Sequence, residues 1–381
     1  MIWLNNLRLK SKDPQARCKA VVGLANSNEP GAVVALAATL EDVNAQVRRA
    51  AAQALGNFPD PRSVEALITV LRDSNEGVRE SAAAALGRLR DERAINPLLW
   101  VLKDGSAIVR ASAASALRNL GWKPSSEEEQ AFFDIATGHV DTVANAGAAA
   151  VAPLVAELRN DTGFMRRAAA EALEGVNDPR RIQPLLAAAR DPDATVRVSA
   201  IYAVGNETSP EVATMLMNSF RDCDPQVRLA AAEVLSKWED PAYVPCFFDL
   251  LADSHFEVRL TAVKFLARRR DPQAAEVMLP LMQDADSDVR LTVAQALGAV
   301  GNPVAIEALV IALTDEERAV REAAATSLEQ IDSNWTSSES AQHATAQLET
   351  SLQDRRAWVR SAAMQVLGKL RSPDSEIQIN Q

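Results

Sequence analysis

The sequence predicts an all-helical repeat solenoid, and three observations predict it. An apolar residue followed by arginine returns with a period of 31 residues. Alanine is abundant while aromatic residues are only 4% of the chain. The β-branched and aromatic runs that mark sheets are missing. An ordinary fold of 381 residues would divide into two or three domains. Repeats pack only on their neighbours and need not divide.

The period is read from Arg17, Arg48, Arg79, Arg110, Arg166, Arg197, Arg228, Arg259, Arg290, Arg321 and Arg360. Two intervals depart from 31, at 56 and 39, which are 31 plus insertions of 25 and 8. Six residues before the arginine stands an aspartate, as in Asp42, Asp73, Asp104, Asp191, Asp253, Asp284, Asp315 and Asp354. Asn160 and Ser11 replace it in two copies. Seven after it stands leucine, as in Leu55 and Leu86, and thirteen after it often proline, as in Pro30, Pro61, Pro179 and Pro241.

Each unit reads as a helical hairpin. Pairs such as Asp60-Pro61 and Asp178-Pro179 open the first helix. The aspartate caps free N–H groups, and proline at the first helical position loses no hydrogen bond. Val64, Leu67, Ile68 and Leu71 then recur at helical spacing. A short polar turn follows. The second helix carries V-R-x-x-A-A-x-A-L, with Val47, Ala50, Ala51, Ala54 and Leu55 on one face. Gly56, Gly87, Gly205, Gly298 and Gly368 are expected to end that helix.

The pattern D-x-x-x-x-V-R-x-x-A-A-x-A-L, from Asp42 to Leu55 and Asp73 to Leu86, resembles the HEAT-like repeat family. It is most similar to the short bacterial type related to phycobilisome bilin lyases. The resemblance implies an all-α, right-handed solenoid of armadillo/HEAT type with about eleven hairpins. Residues 1–371 are expected to form this single solenoid and 372–381 a flexible tail. The family includes scaffolds, lyases and an iron hydroxylase, so it speaks to fold more than to function.

Two segments interrupt the frame. An insertion at about 121–147 predicts an extra helix from Glu127 to Thr137, opened by a Ser126/Glu129 capping box and closed by Gly138. Phe132 and Phe133 lie inside it. Either it fills the stack or it protrudes toward a partner. The stretch at about 332–344, around Trp335, reads as a longer loop. Trp3, Leu4 and Leu7 suit an N-terminal cap.

Chemistry is sparse. His139, His255 and His343 lie in distant repeats, and no His-Glu dipeptide of the kind the resembling hydroxylase uses for its metals occurs. His139 with Asp141 is a lone pair better suited to solvent than to a metal. Cys18, Cys223 and Cys246 show no zinc-type spacing. No phosphate loop or nucleophile elbow is present. No catalytic residue, cofactor or metal is therefore assigned. The recurring arginines are read as an inter-repeat ladder with the aspartates or turn carbonyls of the adjacent hairpin. The run Arg268-Arg269-Arg270 is read as a solvated turn.

Function must then lie in departures from the repeat. The position after the arginine is polar, charged or small in Arg49, Glu80, Ala111, Arg167, Glu322 and Ser361. It becomes Val198, Leu229, Leu260 and Leu291 in four successive repeats, with Tyr202, Glu233, Lys264 and Gln295 one turn on. This strip and Phe132 with Phe133 are the candidate partner-binding residues, unless tighter packing buries them. The reading is a non-enzymatic scaffold that binds another protein or an extended peptide. A bilin lyase-like or chromophore-handling protein is the alternative that the resemblance implies, and a nucleic-acid-binding HEAT protein the second. A net charge of −11 disfavours nucleic acid. The longest apolar stretch, Ala146 to Ala156, is about half a membrane span, and the start of the chain lacks a signal-peptide core. A cytoplasmic location is the expectation.

Overall fold

The computed structural model of the protein describes residues 5, 7–27, 29 and 31–371. Expectations placed on Trp3, Leu4, Pro30 and the tail from Ser372 lie outside these residues. The described elements are α- and 3₁₀-helices, with no strand among them. They fall into two compact units, Met1–Val204 and Gly205–Gln381.

The first unit runs α1 (Pro14–Ala25), α2 (Gly31–Thr39), α3 (Ala45–Leu55), α4 (Pro61–Thr69), α5 (Glu76–Leu89), α6 (Ile95–Val101), α7 (Ala107–Asn119), α8 (Glu127–Ala136), α9 (Val140–Val143), α10 (Val151–Glu157), α11 (Gly163–Glu174), α12 (Ile182–Ala188) and α13 (Ala194–Ala203). The second runs α14 (Pro210–Ser219), α15 (Pro225–Leu235), α16 (Val244–Leu250), α17 (Phe256–Arg269), α18 (Pro272–Met278), α19 (Ser287–Val300), α20 (Ile306–Ala312), α21 (Arg318–Ile331), α22 (Glu339–His343), α23 (Thr345–Ser351) and α24 (Ala357–Arg371).

Each hairpin pairs a short first helix with the arginine-bearing second helix, as in α4 with α5 and α20 with α21. Successive second helices also pack side by side, α3 on α5 and α5 on α7, then α17 on α19 and α19 on α21. A second helix therefore has neighbours on three sides. This explains why Ala52 is buried along with Val47, Ala51, Ala54 and Leu55, while Ala50 is only partly so. Asp60 caps α4 as predicted, accepting from the Arg62 N–H at 2.8 Å.

Gly56 follows the end of α3 as expected, but three other glycines do a different job. Gly87, Gly298 and Gly368 lie inside α5, α19 and α24, and none has a left-handed backbone. A Cβ on Gly87 would sit 2.7 Å from the Ala116 Cα, and one on Gly298 2.6 Å from the Ser327 Cβ. At both, the neighbouring second helix comes too close to leave room for a side chain. At Gly368, on the last described second helix, a Cβ would meet nothing within 4 Å. The left-handed stops fall later, at Arg90, Arg270 and Gly301.

The longer insertion joins the stack. The Ser126 hydroxyl accepts from the Glu129 N–H at 3.2 Å, and α8 begins at Glu127 as predicted. Glu129 reaches back to Ser125, not Ser126. α8 packs on α7 and α10, and α9 packs on α11. Where a loop was expected near 332–344, a 3₁₀ turn at Trp335–Ser337 and α22 are found. Burial of Trp335, whose indole N–H donates to Glu329 at 3.2 Å, orders this segment.

Candidate functional site

The recurring arginine is the joint between hairpins. In the first unit Arg17, Arg48, Arg79 and Arg166 each donate from Nε and Nη2 to both carboxylate oxygens of the aspartate 25 residues on. Arg228, Arg259 and Arg290 do the same in the second unit, and all these bonds measure 2.6–3.0 Å. Nη1 donates back to the carbonyl six residues earlier at 2.8–2.9 Å. The carbonyls thus belong to the arginine's own turn, not to the adjacent hairpin as expected. Each aspartate also accepts an N–H of its own turn, as Asp73 does from Asn75. One guanidinium therefore fixes two turns at once. The Arg48 guanidinium holds the Asp73 carboxyl below its ordinary range, with burial working the other way.

Asn160 breaks the aspartate pattern for a visible reason. The 25-residue insertion moves the next turn out of register with Arg110. Its Nη2 donates instead to Glu157 at 2.5 Å, on the last turn of α10. Asn160 keeps the turn-capping role, accepting from the Thr162 N–H at 3.0 Å, and donates to Glu157 at 2.5 Å. The two tasks of one aspartate are split between Glu157 and Asn160. The fit is imperfect, because the Arg110 Nε is buried without a partner among the described residues. Burial pushes the Glu157 carboxyl above its ordinary range, and Arg110 only partly offsets it.

Within the second unit the face of α15, α17, α19 and α21 carries an open groove. One part, about 630 Å³, is lined by Glu233, Thr261, Lys264, Arg268, Thr292 and Gln295 among others. A continuation of about 510 Å³ along α19 and α21 is lined by Leu291, Gln295, Glu322, Thr326 and Gln330 among others. Four candidate residues, Glu233, Lys264, Leu291 and Gln295, thus share this groove. Leu229 and Leu260 do not line it, and with Leu291 they are partly buried. The strip is therefore less apolar at its surface than its composition suggests. Val198 and Tyr202 lie on α13 of the first unit and are also partly buried.

The sequence pointed to Glu233, Lys264 and Gln295 in the groove's polar lining, but not to Thr261, Thr292, Thr326 or Gln330. Gln330 and Thr326 lie on α21, beyond the four repeats with apolar departures. Lys264 is exposed, and no carboxylate pairs with it among the described residues. The Glu322 carboxylate is engaged by Arg318 at 2.6 Å.

The other candidates are taken up by packing. Phe132 is 6% exposed beneath the Lys103 ammonium, and Phe133 is partly buried against Trp122 at 5.7 Å. Neither extends from the surface as an anchor. Arg268 and Arg269 belong to the last turn of α17. Arg269 donates to the Trp238 and Glu239 carbonyls at 2.6 and 2.7 Å, which satisfies a turn of the preceding hairpin. Only Arg270, exposed at the left-handed end of α17, fits the solvated turn expected of this run. The His139 Nδ1 lies 3.0 Å from the Thr137 hydroxyl. No group of three or more metal-ligating side chains is found among the described residues.

The family model for HEAT repeats matches residues 3–68, 33–118, 64–152, 151–236, 215–291 and 278–368. The chain belongs to the HEAT repeat family. These overlapping HEAT matches span both units. No functionally curated protein matches the chain. Similar solved structures include an engineered protein, 23% identical over 97% of this chain and 99% of that one, with a TM-score of 0.33. Human deoxyhypusine hydroxylase in complex with glycerol is 21% identical over 87% and 96%, with a TM-score of 0.28. The complex of CpcE and CpcF of phycocyanin lyase from Nostoc sp. PCC7120 is 22% identical over 73% and 92%, with a TM-score of 0.30. No helix among the described residues is long and apolar enough to cross a membrane.

Proposed function

We propose that this HEAT-repeat protein is a non-enzymatic interaction module whose second unit receives an extended peptide segment of a partner protein along the face of α15, α17, α19 and α21. The observation that carries this reading is the groove itself. Side-chain amides of Gln295 and Gln330 and hydroxyls of Thr261, Thr292 and Thr326 are spaced along it. Such groups bond to the backbone of an extended chain, which presents a donor and an acceptor at every residue. Leu291 supplies an apolar contact. Lys264 supplies a cation that favours an acidic side chain. Exposed length, more than any one deep pocket, supports a peptide over a small molecule.

The test is a displayed library of random peptides selected on the full-length protein. Binders are expected to share an acidic position and to lose about tenfold in affinity on K264E. They are expected to bind the K103E variant, altered on the first unit, as well as they bind the parent. Peptides that bind K264E undiminished, or that lose affinity equally on K103E, would overturn the reading.

A further inference from the structure

We infer that Arg321, together with Trp358, is a binding site for a side-chain carboxylate presented by an acidic segment of a partner polypeptide. The site lies at the hairpin turns of α21 and α24, and it does not depend on the groove described above.

The ladder supplies the argument. In the rungs made by Arg228, Arg259 and Arg290 the Nε and Nη2 edge closes on an aspartate 25 residues later. Arg321 is seated in the same way, its Nη1 donating to the Asp315 and Glu316 carbonyls at 2.7 and 3.0 Å. The eight-residue insertion then displaces the expected acid. Asp354 stands 33 residues after Arg321, and its carboxylate is taken by Arg356. Nε and Nη2 of Arg356 lie 3.0 and 3.1 Å from its two oxygens, and the Arg356 N–H 2.8 Å from one of them. That engagement holds the Asp354 carboxyl down at about 2. Among the described residues no carboxylate pairs with Arg321.

The edge that elsewhere binds a carboxylate in two-pronged fashion is thus preorganised and left open. Such a pair is geometrically selective, because a guanidinium edge matches the two oxygens of a carboxylate. A second feature marks the place. Trp358 is 37% exposed, and its ring centroid lies 4.8 Å from the Arg321 guanidinium carbon and 5.3 Å from that of Arg356. An indole stacked on a guanidinium fixes its plane and shields one face from water, which strengthens the edge-on bond. Apart from the exposed Glu317, the carboxylates around the site are engaged. Glu316 is engaged by Arg356 at 3.3 Å and Arg290 at 3.6 Å, and Glu322 by Arg318 at 2.6 Å. Arg360 donates to the Asp354 and Arg355 carbonyls. Arg355 is exposed, so a further carboxylate of an acidic segment meets a second guanidinium.

The test uses the full chain and a hexaglutamate peptide blocked at both ends as the probe. The reporter is the Trp358 indole N–H resonance, assigned with W358F. A saturable shift is expected, and R321Q is expected to weaken it by about tenfold or more, since the two-pronged bond is lost. R321K keeps the charge but not the fork and is expected to lose nearly as much. R318Q removes one charge three residues away and is expected to change affinity by less than about twofold. R321Q removes the two Nη1 bonds to the turn carbonyls but no ion pair, so its melting midpoint should fall less than that of R290Q, which breaks a full rung. Equal weakening by R318Q would mean net charge alone and would overturn the site. So would retention of binding in R321K, or absence of a saturable shift. Inorganic phosphate that moves the same resonance at equal or lower concentration would overturn the carboxylate reading.

Discussion

Replacing Arg48 by methionine breaks one central rung of the ladder. The change removes two bonds of 2.7 Å to Asp73 and one of 2.8 Å to the Asp42 carbonyl. The Arg48 and Asp73 side chains are 14% and 9% exposed. Exposed ion pairs contribute about 0–1 kcal/mol, while orphaning one member of a buried pair costs about 3–5 kcal/mol. This rung lies nearer the buried limit, and Asp73 keeps the Asn75 N–H, so about 2–3 kcal/mol is expected. In a unit of this size that lowers the thermal midpoint by roughly 5–10 °C. The assay is calorimetric melting of R48M, D73N and R48M/D73N. The double variant should recover about 1–2 kcal/mol over the sum of the singles, because neither partner is then left unpaired. The control is R62M. Arg62 pairs with Asp60 two residues away and is 56% exposed, so its loss should shift the midpoint by under about 2 °C. The reasoning fails if R48M costs no more than R62M, or if the two rung variants are simply additive.

Three further expectations follow from the packing. G87A forces a Cβ within 2.7 Å of the Ala116 backbone and should cost about 2–3 kcal/mol, whereas G368A fills open space inside a helix and should gain about 0.5–1 kcal/mol; equal effects in urea melts would refute the close-approach account. Glu157 and Asp73 should respond to pH with opposite sign. Asp73 titrates below 3.8 when folded, so its contribution is present above that value and lost as pH falls through the folded pKa; the wild type's advantage over D73N shrinks there. Glu157 titrates above 4.5 when folded, so its contribution is full below 4.5 and lost as pH rises through the folded pKa; the wild type loses ground to E157Q over that rise, read as midpoints across a pH series. L229S and L260S should each cost about 1 kcal/mol, half the value of a fully buried leucine, and a loss of about 2 kcal/mol or more would place them in the core.

The hairpin was legible in the sequence because its signals are local and repeated. Asp60 before Pro61 marks a helix start by its own chemistry, and V-R-x-x-A-A-x-A-L marks a face by spacing alone. Gly87 and Gly298 lie inside helices rather than at their ends, a difference not legible because sequence shows that a side chain is missing but not from which direction a neighbour comes. Gly87 and Gly301 look alike in the chain. One answers to Ala116 on the next helix, and the other to its own backbone torsion. The groove was half legible for a similar reason. The apolar departures at Leu229, Leu260 and Leu291 drew notice to the right helices, but what lines the surface is decided by how deeply each residue sinks between them.

The insertions show a different kind of limit. Their lengths were countable, yet their effect is exerted on residues outside them. A spacing of 25 between arginine and aspartate is a constraint that two hairpins share, so lengthening the chain between them must leave an arginine to be satisfied another way. After the longer insertion a glutamate one turn earlier takes the charge and Asn160 keeps the turn. After the shorter one no such replacement has arisen, and Asp354 turns to Arg356 instead. The same geometric rule that makes the laddered arginines structural therefore leaves Arg321 without its aspartate. A repeat protein can acquire a binding residue by displacing the partner of one that was already in place.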